Sequence, residues 1–198
     1  MDLQLDPKKS ALVVIDLQKG IVGRDGAPHS TTEVVSNAAA LAREIRAQGG
    51  FVVLVRVSSL DGKDMLLPIT DPDTPGFRGA RQPGWEEIVP ELGPEPGDLV
   101  LTKHQWGAFH GTELDLQLRR RGIETIILCG IATGFGVDTT AREAYQHGYQ
   151  QIFAEDAMTG LAKEEHDYVC RFIFPRIGRI RPTSAIVEAL GAPQAAMA

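Results

Sequence analysis

Two ionisable residues stand at the ends of short apolar runs, where solubility alone does not explain them. Asp16 follows Leu12, Val13, Val14 and Ile15. A carboxylate at a buried strand end is unfavourable unless it finds a partner or keeps its proton. It is therefore either a cap for the following loop or a general acid or base. Lys103 follows a second run, Asp98–Leu101, after Thr102. A lone lysine there is ordinarily solvated. Beside Asp16 it would hold the carboxylate ionised, which suits a general base; burial pushes the other way and suits a general acid. Gln18, two positions beyond Asp16, is placed to orient that carboxylate or a substrate.

A third feature is the turn Gly130-Ile131-Ala132-Thr133-Gly134-Phe135-Gly136-Val137, which leaves an apolar run and enters a helical pattern. Backbone N–H groups at such a turn can bind an anion or a developing oxyanion. Its glycine spacing is not a dinucleotide fingerprint, and it lacks the Gly-Lys-Ser/Thr ending of a P-loop. Thr133, Thr139 and Thr140 offer hydroxyls, with helix capping or packing the ordinary role.

The soft ligands are few. Cys129 and Cys170 are too far apart for a disulfide framework or a zinc ribbon, and Cys129 falls inside an expected strand as a core residue. His29, His104, His110, His147 and His166 form no His-x-His or His-Glu-x-x-His spacing, and Asp61 has no histidine nearby. The expectation is no metal and no cofactor.

The elements that must position these residues alternate between two periods. Ala11–Ile15 and Phe51–Val57 read as buried strands. Between them Val34, Val35, Ala38, Leu41, Ala42 and Ile45 recur at helical spacing, with Thr32 as N-cap and Gly49-Gly50 as the stop. Further strands are expected at Asp98–Leu101, Thr125–Cys129, Gln151–Ala154 and Ile177–Ile180. Helices are expected over Glu113–Arg121, capped by Thr112 with Asp115 at a capping-box position, and over Val137–His147, Lys163–Phe174 and Ser184–Leu190. Ser58 to Gly97 has no sustained period, and a stretch so long is expected to cover a site. Strands that read as unbroken apolar runs, each followed by a helix, imply a three-layer α/β/α fold around a mostly parallel six-stranded sheet. Ligands of such sheets bind beyond the carboxyl ends of the strands, which is where Asp16, Lys103 and the glycine-rich turn fall.

The 198 residues are expected to form one domain, with no repeat and no linker, and 43% hydrophobic content excludes disorder. A net charge of −6, with both signs mixed along the chain, argues against nucleic acid as partner. Arg119-Arg120-Arg121 reads as a helix C-terminus complemented by cations. No apolar run reaches the ~18–20 residues of a membrane span, and Met1 to Ser10 has no signal core, so a cytoplasmic location is expected.

Three ordered stretches carry a resemblance: Val13–Gln18 (VVIDLQ), the segment from Lys103 onward (KHQWGAFHGTEL), and Gly130–Ala144 (GIATGFGVDTTAREA). Together they resemble the isochorismatase-like hydrolase superfamily, which includes isochorismatases, nicotinamidases and related cysteine amidohydrolases. The resemblance runs from about Leu12 to Ile180. It implies Asp16 and Lys103 as catalytic residues, a cis peptide at Ile131–Ala132, a small-molecule substrate and a homo-oligomer. It raises Trp106 and Phe109 as walls of an apolar pocket, and assigns Ile131, Ala132, Thr133 and Phe135 to substrate binding. The departure lies at Gly136, where the amidohydrolase branch carries its cysteine nucleophile. Glycine has nothing to attack a carbonyl with. Isochorismatases resemble this turn in having glycine there, and cleave a vinyl ether with an acidic aspartate and water.

Three functions fit these residues: a cysteine-independent hydrolase of a small anionic or vinyl-ether substrate, a binding or regulatory protein that lost the chemistry, and an amidohydrolase with unusual machinery. Retention of both Asp16 and Lys103 favours the first over the second, and the missing cysteine argues against the third.

Overall fold

A computed structural model describes residues 3–66, 68–71 and 82–192. The chain runs β1 (Ser10–Ile15), α1 (Lys19–Val22), α2 (Thr31–Ala47), β2 (Phe51–Val57), β3 (Leu99–Lys103), α3 (Leu114–Arg120), β4 (Thr125–Ile131), α4 (Asp138–Gln146), β5 (Gln150–Thr159), α5 (Lys163–Tyr168), α6 (Phe174–Ile177), β6 (Arg179–Arg181) and α7 (Thr183–Gly191). The six strands form one sheet in the order β3-β2-β1-β4-β5-β6, and every neighbouring pair is parallel.

The apolar runs are unbroken because both sheet faces are covered. Along β1, Leu12 and Val14 point into a core with α2 and α7, while Ala11, Val13 and Ile15 point into a second core with α3, α4 and α6. α2 presents Val34, Val35, Ala38, Ala39, Leu41, Ala42 and Ile45 to the first core. Each fully buried Val, Leu or Ile of that stripe contributes ~1.5–3 kcal/mol. The cap of α2 is Ser30, whose Oγ accepts from Glu33 N at 3.2 Å, not Thr32, because the helix starts one turn-position earlier than its apolar stripe. Asp115 makes no cap either: it accepts from the Tyr149 hydroxyl at 2.7 Å and from Arg119 Nε at 3.2 Å.

Later elements depart further. β5 runs on through Glu155 and Asp156 to Thr159, because both acids find partners and the register against β4 shifts between Leu128 and Gly130. The helix expected over Lys163–Phe174 is broken by a π-helical turn at Val169–Ile173, and β6 is only three residues on the sheet edge. Among the described residues no helix is long and apolar enough to cross a membrane.

Strand order reverses at β1, since β2 and β3 lie to one side and β4, β5 and β6 to the other. The crevice at the carboxyl ends of β1 and β4 is thus a topological switch point, the usual ligand position in an open parallel sheet.

Candidate active site

Asp16 is the first residue past β1, and its backbone adopts φ 54°, in the left-handed region. Among side-chain residues, aspartate tolerates that region comparatively well. Gly130, directly opposite Ile15 on β4, has φ 118°, and a Cβ there would meet Ile15 O at 2.1 Å. Only glycine lets the two backbones approach this closely. The Ile131–Ala132 peptide is cis, as the resemblance implies. Thr133–Val137 follows as a π-helical turn leading into α4.

Lys103, the last residue of β3, reaches back to the same crevice. Its Nζ lies 2.8 Å from Asp16 Oδ2 and donates to Trp106 O at 2.5 Å. The side chains of Lys103 and Asp16 are 2% and 8% exposed, so water screens this pair little. Asp16 Oδ1 is buried and has no hydrogen-bond partner among the described residues. Burial raises the Asp16 carboxyl above its ordinary range, and Lys103 opposes that without reversing it.

Gly136 faces the pair. An ideal Cβ on Gly136 would stand 3.2 Å from Lys103 Nζ, 3.4 Å from Asp16 Oδ2 and 2.9 Å from Ile15 Cγ2. Any side chain at 136 would therefore point at the two ionisable groups. Neither cysteine reaches thiolate character. Burial pushes the Cys129 thiol far up, and burial with Glu155 and Asp167 pushes Cys170 up to about 12.

The remaining expected site residues separate. Gln18 is fully buried, and both its amide hydrogens are spent on backbone: Nε2 donates to Val57 O (3.1 Å) and Trp85 O (3.2 Å). Its Oε1 accepts from Val57 N at 2.8 Å. It thus ties the end of β2 to the chain around Trp85 instead of presenting its donors to a substrate. Phe109 is a core residue, 6% exposed and stacked on His147 at 5.0 Å, because Ala108 and Phe109 are anchored on α4 through Thr140 and Glu143. Trp106 is 60% exposed and meets Phe135 edge-on at 4.9 Å, so these two rings make the aromatic edge of the turn. Ile131 is buried in the first core and Ala132 packs against it. Several N–H groups of the turn are already used: Gly134 N donates to Glu165 Oε1 (2.6 Å), and Phe135 N and Val137 N donate to Ala132 O. Those three do not make the open anion cradle that the sequence suggests.

Part of the long segment after β2 borders this crevice. Gly20 N donates to Trp85 O and Val89 N to Leu17 O, and a Cβ on Gly20 would meet the Trp85 ring at 1.9 Å. The Trp85 ring therefore packs against Gly20 of α1, just beyond Asp16. Residues 67 and 72–81 of the expected cover lie outside the described residues.

One cluster has no signature in the sequence. Thr133 is fully buried, and its hydroxyl lies 2.9 Å from His166 Nδ1. His166 Nε2 and His29 Nε2 approach Glu155 Oε1 at 3.0 and 2.9 Å. The two imidazoles, with His166 first, hold the Glu155 carboxyl down to about 2. The four residues come from four separate segments, so no local spacing could announce them.

The Isochorismatase domain model matches residues 10–185. The uncharacterized isochorismatase family protein YwoC of Bacillus subtilis (strain 168) is 54% identical over 186 residues, covering 94% of this chain and 96% of that one. The Pseudomonas chlororaphis protein named "Probable isochorismatase" is 30% identical over 185 residues, 92% of this chain and 87% of that one. The solved structure of an isochorismatase family protein from Burkholderia thailandensis superposes with a TM-score of 0.90 at 41% identity, covering 97% of this chain and 100% of that one. With a matched domain over most of its length and a relative of this similarity, the chain belongs to the isochorismatase family of hydrolases.

Proposed function

We propose that this chain hydrolyses a small anionic or vinyl-ether substrate with Asp16 as general acid and Lys103 as its partner, without a covalent cysteine intermediate. The observation that carries this reading is Gly136. A side chain there would stand within 3.4 Å of both Asp16 Oδ2 and Lys103 Nζ, and there is none. The reacting groups are then Asp16, Lys103 and water, and the absent side chain leaves room for substrate beside them.

The electrostatics support an acid. A buried carboxyl raised above its ordinary range holds its proton more tightly than an exposed one, and the adjacent ammonium stabilises the anion left after transfer. On a vinyl ether, Asp16 delivers its proton to the terminal enol carbon, and the C–C double bond becomes an oxocarbenium ion. Water adds to that cation and returns a proton to the Asp16 carboxylate. The hemiketal collapses to a ketone and an alcohol, so protons and electrons balance without a cofactor. Gln18 serves as a positioning residue here, holding the chain around Trp85 over the loop that carries Asp16. Trp106 and Phe135 line the entrance with aromatic surface.

The test is pyruvate release from isochorismate by the purified protein, with Asp16→Ala as control. Release that disappears in the variant supports the reading. Release that persists in Asp16→Ala, or none from folded wild type with isochorismate and simpler enolpyruvyl ethers, overturns it.

A further inference from the structure

His29 precedes α2, Glu155 lies on β5 and His166 on α5, yet their ligating atoms all fall within 4.8 Å of one another. Both Nε2 atoms converge on Glu155 Oε1, at 2.9 and 3.0 Å. Around a tetrahedral zinc, with bonds of ~2.0–2.2 Å to nitrogen and oxygen, ligand atoms stand about 3.4 Å apart. The two histidine–carboxylate separations lengthen by about half an ångström to admit such an ion, and the two histidine nitrogens already lie within 4.8 Å of each other.

The far sides of the rings make the stronger argument. Metal-bound histidines hand their remaining N–H to a carboxylate, carbonyl or hydroxyl, which fixes tautomer and orientation. Here His166 Nδ1 faces Thr133 Oγ1 at 2.9 Å, and His29 Nδ1 faces Glu33 Oε1 at 3.6 Å. His29 thus stands between two carboxylates, hydrogen-bonded to Glu155 Oε1 on one side and 3.6 Å from Glu33 Oε1 on the other. An ion at Nε2 places the ring N–H on Nδ1, the side that faces Glu33. Cys170 Sγ, 3.5 Å from His166 Nε2, is the next donor at hand. His166 is buried, whereas the side chains of His29 and Glu155 are 21% and 35% exposed, which leaves a path for entry.

We propose that His29, Glu155 and His166 bind a divalent transition metal of the zinc type, at a site that shares no residue with the Asp16–Lys103 pair. Two imidazoles and one carboxylate are a borderline ligand set that suits zinc better than magnesium or calcium. Occupancy reaches the turn after β4 through one hydrogen bond. With the ion on Nε2, His166 Nδ1–H donates to Thr133 Oγ1, and the Thr133 hydroxyl hydrogen is released to another acceptor.

The inference stands apart from the vinyl-ether reading, and its readout is metal stoichiometry instead of turnover. Metal-stripped protein is titrated with zinc chloride against a chromogenic chelator. One equivalent per chain is expected, with at least ~100-fold weaker binding in His29→Ala and His166→Ala, and ~10-fold weaker binding in Glu33→Gln. His29 is partly exposed, so His29→Ala keeps the comparison meaningful if the buried His166→Ala does not fold. No zinc uptake by folded wild type, or uptake unchanged in folded His29→Ala, overturns the proposal.

Discussion

Lys103 Nζ is held from two sides, by Asp16 Oδ2 at 2.8 Å and by Trp106 O at 2.5 Å, while Asp16 Oδ1 has no partner among the described residues. The ammonium is fixed, and the carboxyl keeps one free edge. An acid that must deliver a proton into a crevice needs such an asymmetry. Asp16→Asn keeps the size and removes the transferable proton. Its kcat on a turned-over vinyl ether is expected to fall by ~10²–10⁴, the usual range for a lost general acid. Steady-state pyruvate release measures this, and a loss under about tenfold would sink the role of Asp16.

Lys103→Met separates the two influences on Asp16. Burial raises the carboxyl and Lys103 lowers it, so removing the cation lets burial act alone and the Asp16 pKa rises further. A general acid works while protonated, and activity is lost as pH rises through its pKa. The alkaline limb of kcat/KM is therefore expected at higher pH in Lys103→Met than in wild type. A shift to lower pH would contradict it.

The same pair governs stability. At pH values where Asp16 is ionised, removing one partner of the buried pair costs ~3–5 kcal/mol, whereas replacing both is far milder. Lys103→Met is expected to unfold at lower urea concentration, and Asp16→Leu/Lys103→Met to recover most of the loss. Sign matters for the single variant. A carboxyl whose folded pKa is raised adds stability below its unfolded pKa and loses it as pH climbs through the folded one. The deficit of Lys103→Met should thus widen toward alkaline pH and shrink toward acid, as urea midpoints across pH would report.

Gln18→Leu tests whether Gln18 supports the fold around the site instead of holding substrate. It removes the side-chain partner of Val57 N–H, Val57 O and Trp85 O, of which Trp85 O keeps the Gly20 N–H, at ~1–3 kcal/mol for each group left unpaired and shielded from water. Its thermal midpoint is expected to fall by several degrees. A variant as stable as wild type but with a much raised KM would return Gln18 to substrate binding.

How far the chain was legible follows from what packs where. β1, β2 and β4 were plain because their residues are buried on both faces, so the apolar runs are continuous. The sequence ends β5 at Ala154, since Glu155 and Asp156 look like the end of a strand, whereas the strand runs to Thr159. They are kept within it by His29 and His166 on one acid, and by Thr183 N and Oγ1 on the other. Asp16 and Lys103 could be paired from sequence because topology sends the ends of all parallel strands to one edge. Phe109 and Gln18 could not be sorted, since an aromatic or an amide near that edge serves a core or a backbone tie as readily as a pocket. The His29–Glu155–His166 cluster was invisible for a related reason: His29 and His166 lie at opposite ends of the fold's sequence, and only the tertiary contacts join them.

Gly136→Cys is the sharpest probe of the crevice. Its Cβ would press on Ile15 Cγ2 at 2.9 Å, in a core position, so a stability loss of ~1–3 kcal/mol from overpacking is expected. Vinyl-ether turnover should fall as the sulfur fills the space beside Asp16. The new thiol would lie close to the Lys103 ammonium, which favours its thiolate, whereas the thiols of Cys129 and Cys170 are both pushed well up. At neutral pH iodoacetamide should therefore modify the variant once, at position 136, and leave wild type unmodified, as peptide mass spectrometry would record. Labelling of Cys170 in wild type would mean that its surroundings are more open than its half-buried thiol implies. An unreactive thiol at 136 would mean that the Asp16 carboxylate, not Lys103, dominates the potential there, and Asp16 would then have to be a resting anion and a base instead of an acid.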